Sequence, residues 1–306
     1  MVKHYSNFNI EKKHRGSIIL IGNFDGLHRG HQKLFRLAQS YKKRYDLKIG
    51  VINFNPMPKM FFNRNLKNFR LSNNNQKIKL LNKFKVDFVI TKKFDYKFSK
   101  TKSIVFIKEI LKKKLNAKFI FVSNNFRFGN KREGNVNLLI KNEKTYNYKV
   151  VKPKPLINNK KIVSSSLIRN LLENGFLKKA NKLLNRNWAI QGIVKKGRQV
   201  GKKIGFPTCN IDIQDYVLAK PGVYAVKVLR KNNTKYLKGI ANLGYRPTFN
   251  QKKILLEVHL FNFSGNLYNK LLSVEFLKFI RKEKKFKNVN QLRAQIKMDL
   301  NIAKEA

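Results

Sequence analysis

A chain of 306 residues has room for one large or two ordinary domains with a real core. Its 68 Lys and Arg against 16 Asp and Glu give a formal net charge of +52. The basic residues run through every segment and do not gather in one stripe, which argues against a specific nucleic-acid partner recognised through a clustered footprint; abundant Lys, Asn, Ile and Phe are what an A+T-rich coding bias would produce. The single cysteine, Cys209, excludes an intrachain disulfide framework and fits a reducing compartment. The polar N-terminus predicts no signal peptide, and no apolar run reaches the ~18 residues of a membrane span, so a cytoplasmic protein with no membrane partner is expected.

The first strong element is an apolar, β-branched run at Ile18–Ile21, read as a buried strand. Gly22 breaks it, and Asn23, Asp25 and Gly26 form a turn. From His31 to Tyr41 apolar residues return at helical spacing, so His28, Gly30 and His31 stand at a loop–helix junction. A helix N-terminus there can hold a nucleotide phosphate on backbone N–H groups, with both histidines facing one anion. Further strands are predicted at 48–53, 86–91, 118–122 and 146–151, with helices at 78–84 and 103–115 between them. This alternation predicts a parallel sheet with helices on both faces and a ligand crevice at the carboxyl ends of its strands. Three loops fall there: H-x-G-H, the stiff Phe54-Asn55-Pro56-Met57-Pro58, and Asn124-Asn125-Phe126-Arg127-Phe128-Gly129. Next, Ser164 or Ser165 can cap a helix that carries Arg169 in its first turns and that Gly175 can close. An arginine there suits an anion.

The alternation stops near Leu184–Trp188, which sets the expected boundary between domains 1–184 and 185–306. Beyond it, short β-runs at 190–194, 222–229, 236–242, 255–261 and 271–279 predict a small antiparallel barrel, followed by a terminal helix over 289–302 with Leu292, Ile296 and Leu300 four apart. Gly192, Gly197, Gly201 and Gly205 stud a lysine-bearing stretch that can fold over phosphates. Thr208 and Asn210, one residue apart on an extended segment, offer two hard oxygens to Mg²⁺. Glu257, scarce as an acid in this chain, can take a proton from a substrate hydroxyl.

In combination, GNFDGLHRGH, NFRFG, SSSLIR, G-x-x-x-G-x-P-T-x-N, PGVYAV, ANLGYRPTF and LEVHLFNFSGNLY resemble the prokaryotic bifunctional riboflavin kinase/FMN adenylyltransferase family, from about Gly22 to the terminal helix. The resemblance implies a Rossmann-like nucleotidylyltransferase domain followed by a riboflavin kinase β-barrel. It implies that His28 and His31 contact ATP phosphates, with Gly22, Phe24, Asp25 and Gly30 in the same loop. It implies further that Asn125 helps hold the substrates, that Ser164, Ser165 and Arg169 close on the triphosphate, and that Phe54, Pro56 and Pro58 help bind the flavin. In the second half it implies Mg-ATP on Thr208 and Asn210 with Gly201, Gly205 and Pro207 around it, Glu257 as the base on the ribityl 5′-hydroxyl, Arg246 in the matching R-P-T-F loop, and Arg281 and Phe286 at the end of the barrel. ATP, riboflavin and FMN are then substrates, with Mg²⁺. The chain departs from the pattern at Met57, Ser123, Ser166, Lys202 and Asn269. The alternatives are a basic nucleic-acid-binding protein, suggested only by net charge, and a monofunctional nucleotidylyltransferase with an accessory barrel, against which the P-T-x-N and Glu257 pair argues.

Overall fold

The structure, a computed structural model, describes all residues except Met1, Arg198, Gln214, Asn232 and 248–251; of Val200, Arg246, Pro247, Lys252 and Lys253 only the backbone is described. The chain forms two compact units, residues 1–67 with 74–164, and residues 68–73 with 165–306.

The first unit is built on a six-stranded parallel sheet. Its strands are β1 (Lys3–Tyr5), β2 (Ile18–Ile21), β3 (Ile49–Asn55), β4 (Phe88–Lys93), β5 (Phe119–Phe121) and β6 (Lys149–Val151), in the order β1-β4-β3-β2-β5-β6. β2 is central and buried along its whole length because it feeds two apolar layers. Ile19 and Ile21 pack with Ile52, Phe88, Ile90 and Ile120 on one face. Ile18 and Leu20 pack with Val51, Val89, Phe35 and Ala38 on the other. That two-sided burial is why the strand reads as a continuous apolar run. The helix after it, α1 (Arg29–Tyr45), buries Leu34, Phe35 and Ala38 on the second layer, as the spacing predicts. The edge strand β1 goes unannounced in the sequence, being three residues long and half polar.

The second unit begins at Ser165, twenty residues before the expected boundary. Two helices, Ser165–Glu173 and Leu177–Leu184, open it. Gly175 stands between them at φ +80°, with Gly175 N–H donating to the Leu172 carbonyl and Phe176 N–H to that of Leu171, a glycine-closed C-terminus. Asn181 ties the second helix to the barrel: its amide donates to the Phe276 carbonyl at 3.0 Å and its oxygen accepts from Trp188 N–H at 2.8 Å. The short segment 68–73 belongs to the same unit, where Arg70 pairs in parallel with Tyr216 and the Leu71 carbonyl accepts from the buried Trp188 indole.

The barrel is closed and made of β7 (Ala189–Lys195), β8 (Cys209–Asp212), β9 (Gly222–Arg230), β10 (Leu237–Pro247), β11 (Lys252–Leu260) and β12 (Leu271–Arg281), in the order β7-β8-β11-β10-β9-β12. Leu256, Val258 and Leu260 of β11 point into the barrel, leaving Leu255, Glu257 and His259 on its outside, as the alternation predicts. β8, expected from the sequence only as an extended stretch, closes the cylinder with its four residues. The terminal helix, Val289–Lys304, covers an outer patch of Val223, Ala225 and Ile240 with Leu300 and Ala303. It is pinned by Arg281, which grips the buried Asp299 through Nε at 2.9 Å and a terminal nitrogen at 2.7 Å. Such a charge-assisted fork fixes orientation as well as adding energy.

Candidate active sites

In the first unit the strand–turn–helix junction gathers polar groups at the carboxyl ends of β2 and β3. His28 is the N-cap of α1, 4% exposed, and its Nδ1 accepts from the His31 N–H at 3.3 Å. A neutral His28 accepting at Nδ1 carries its proton on Nε2. The His31 ring stacks on His28 at 3.7 Å between centroids and meets the edge of Phe24 at 5.2 Å. Gly30 permits this packing: a Cβ there would lie 3.2 Å from the His28 ring and from the Val163 carbonyl. Phe24 itself is buried with Phe35 and supports His31 from the core side. Asp25 is buried in the turn and Gly22 is half-buried before it. His31 Nδ1, Asn23 Oδ1 and Asn53 Oδ1 are buried without hydrogen-bond partners, which leaves them available to a polar ligand.

Burial, then the neighbouring His28 and Lys77, hold His31 well below its ordinary value of 6.5. The neutral form is therefore favoured in the folded chain. As pH falls through 6.5 the unfolded chain takes a proton that the folded chain refuses, so His31 lowers stability below that pH and contributes nothing well above it. His14, also buried, shifts the same way. Thermal unfolding at pH 7.5 and 5.0 should accordingly show a smaller loss on acidification for His31→Asn than for the wild type.

Along the same strand ends, Phe54, Pro58, Phe62, Phe94, Phe98, Phe106 and Phe128 line an aromatic cavity of about 130 Å³, rimmed by Arg127, Lys131 and Arg132. Pro56 is half-buried and Met57 buried in the loop leading to it. Asn125 is exposed, its side-chain oxygen accepting from the Ser123 hydroxyl at 2.9 Å. Ser164 ends the first unit, and Ser165 and Arg169 belong to the second. Arg169 is buried, its Nε donating to the Phe69 carbonyl at 2.7 Å and its guanidinium 3.6 Å from the Phe69 ring centroid.

The second unit carries a cavity of about 500 Å³ on the outside of the barrel, between the strands and the terminal helix. Strand register assembles one wall. Asn210 and Asn242 are the partners of Glu257 across β8 and β10, so the three form a polar row about 4.5–5.5 Å apart at Cβ. Thr208 lines the cavity beside Glu257, with Gly201 over it. Leu292 and Ile296 of the terminal helix line the opposite side, as their spacing predicts. Asn242 and Glu283, not expected from the sequence, join the wall through a 3.3 Å hydrogen bond; a polar residue facing Glu257 across a strand is the signal that marks Asn242. The glycine stretch is not an open loop: Val200–Lys203 is one helical turn, with Gly205 after it at φ +88°. Pro207 is exposed. Arg246 lies on β10 by its backbone, and its side chain is outside the described residues.

Asn210 is 6% exposed and its Oδ1 has no partner. A buried hard oxygen left in that state fits a cation ligand. Among the described residues no group of three or more His, Cys, Asp or Glu gathers to hold a metal. A Cβ on Gly197 would fall on the Asn210 amide. Gly197→Ala is expected to displace that side chain, which a shift of the Asn210 side-chain amide resonances relative to the wild type would report.

Residues 10–167 match the family model for FAD synthetase and residues 184–306 that for riboflavin kinase. The chain is 40% identical over 300 residues to the bifunctional riboflavin kinase/FMN adenylyltransferase of Buchnera aphidicola subsp. Schizaphis graminum, covering 97% of this chain and 96% of the relative. It belongs to the bifunctional riboflavin kinase/FMN adenylyltransferase family. The Escherichia coli K12 family member is 36% identical over 290 residues, covering 95% and 92%. A crystal structure described as a macrolide-efflux protein from Streptococcus pneumoniae has a TM-score of 0.86 at 27% identity, covering 100% of this chain and 99% of that one. The description as an efflux protein sits apart from the curated relatives' names, and no helix of the described residues is long and apolar enough to cross a membrane. With both family models matched, the accessory-barrel alternative gives way to a bifunctional chain.

Proposed function

We propose a division of labour between two sites in one bifunctional flavin-cofactor enzyme. The barrel transfers the γ-phosphoryl group of ATP to the 5′-hydroxyl of riboflavin, and the parallel-sheet unit joins the resulting FMN to AMP from a second ATP, releasing pyrophosphate. The reading of the barrel rests on one observation: Glu257 stands across the strands from Asn210 and Asn242, at the wall of a 500 Å³ cavity that Thr208 also lines. Glu257 orients the hydroxyl and accepts its proton. Thr208 and Asn210 would hold Mg²⁺, which would neutralise phosphate charge when bound. Gly201 lines the nucleotide's side of the cavity, and Gly205 and Pro207 belong to the same turn-containing stretch. Positioning and charge stabilisation do most of the work in phosphoryl transfer, so a modest base suffices.

In the adenylyl transfer the attacking FMN phosphate is already anionic and needs no base. His28, with Nε2–H as donor, and His31 bind the ATP phosphates at the α1 N-terminus, together with the Gly22–Gly30 loop. Phe54 and Pro58 border the aromatic cavity that takes the isoalloxazine, Pro56 stiffens the loop leading to it, and the cavity's Arg and Lys rim attracts the FMN phosphate. Asn125 and Ser164 complete the grip on the substrates within this unit. The site of action is the cytoplasm, where ATP and reduced thiols are available, and neither a specific nucleic acid nor a membrane is a partner.

The direct test is incubation of the purified protein with riboflavin, ATP and Mg²⁺, and then separation of the flavins. Both FMN and FAD are expected. Neither product would end the proposal, and FMN alone would leave the barrel reading standing and remove the other.

A further inference from the structure

His259 shares the outer face of β11 with Glu257, two residues on, and lines the same cavity. Its Nδ1 lies 2.8 Å from the Pro207 carbonyl oxygen. The Phe206 ring meets it edge-on at 5.8 Å, and Phe261 packs at 6.2 Å. The ladder between β8 and β11 pairs Cys209 with Val258 and Asn210 with Glu257, and goes no further toward Thr208. Continued by one step it would set Thr208 opposite His259. Backbone pairing cannot extend through Pro207, which has no N–H to donate. The His259 side chain supplies a bond to this segment from beyond the end of the ladder.

We propose that His259 is a positioning residue for phosphoryl transfer: its Nδ1–H, donated to the Pro207 carbonyl, holds the Pro207–Thr208 step against β11, so that Thr208 and Asn210 meet the nucleotide in register with Glu257. The proposal rests on the reading of Thr208 as a nucleotide-binding residue. A carbonyl only accepts, so the neutral imidazole carries its proton on Nδ1 and leaves Nε2 bare. Without the bond, Thr208 keeps its chemistry and loses its place. A displacement of ~1 Å in a positioned group costs up to ~10²-fold.

Two measurements on the full-length protein test this. In the first, His259→Leu should lower kcat/KM for ATP in FMN formation roughly 10- to 100-fold while the KM for riboflavin changes little. His259→Asn, whose amide N–H falls where Nδ1–H was, should recover to within about threefold, and His259→Gln, which reaches toward the Nε2 position instead, should stay low. Adenylylation of supplied FMN by the same preparations reports that the first unit is intact, and an unchanged riboflavin KM that the barrel is. The second measurement needs no variant: ¹⁵N-detected imidazole spectra of the wild type at pH 8 should show His259 protonated at Nδ1 and bare at Nε2. An Nε2–H tautomer, full kinase activity in His259→Leu, or equal activities for the Asn and Gln variants would overturn the proposal. Full kinase activity in Thr208→Ala would instead sink the nucleotide-binding reading beneath it, leaving the tautomer result as found.

Discussion

Glu257→Ala is expected to abolish FMN formation, with kcat falling ~10²–10⁴-fold, the usual contribution of a positioned general base. Glu257→Gln should lose nearly as much, because the amide keeps the size and hydrogen-bonding reach of the carboxylate and cannot take the proton. Neither change opens a hole in the core: Glu257 is half-buried on the outer face of β11 while Leu256 and Val258 beside it fill the barrel. Stability should change by less than about 1 kcal/mol. The same variants should still make FAD from supplied FMN at the wild-type rate. Kinase activity within tenfold of wild type would remove Glu257 from the chemistry, and loss of both activities together would argue against two independent sites.

The second large effect is expected at the histidine pair. His28→Asn and His31→Ala should each cut FAD formation from FMN by ~10²–10³-fold, the scale set by removing one preorganised donor from developing charge. His28→Asn is the sharper variant. Asparagine is among the best N-cap residues, so it keeps the bond to the start of α1 and removes only the ring. His28→Ala would also lose the cap, at about 1 kcal/mol. Riboflavin phosphorylation should persist in all three. An adenylyltransferase that tolerates His28→Asn would show that the cap, and not the imidazole, is what the motif supplies.

Much of the fold is legible because its two halves use different hydrophobic periods. β2 reads as strand because both its faces are buried, and α1 as helix because only one of its faces is. In β11 the period of two separates Leu256 and Val258 from Glu257 and His259 before any coordinates exist. β8 escapes notice because four residues are too few to show a period, and β1 because an edge strand buries little. The 165–184 helices look like the last of the α/β alternation, yet contacts such as Asn181 to Phe276 put them in the barrel's unit. The pairing of 68–73 with Tyr216 joins residues almost 150 apart in the chain, which no local pattern can announce.

The residues by themselves determined which chemistry the chain can perform: histidines beside a glycine at a helix start, hydroxyl and amide oxygens one residue apart, and a rare glutamate on an alternating strand. These are local facts, set by side-chain type and short spacing. Only the tertiary structure decided which of them meet. Strand register, a property of pairing between distant segments, set Asn210 and Asn242 on either side of Glu257 and brought His259 onto the Pro207 carbonyl.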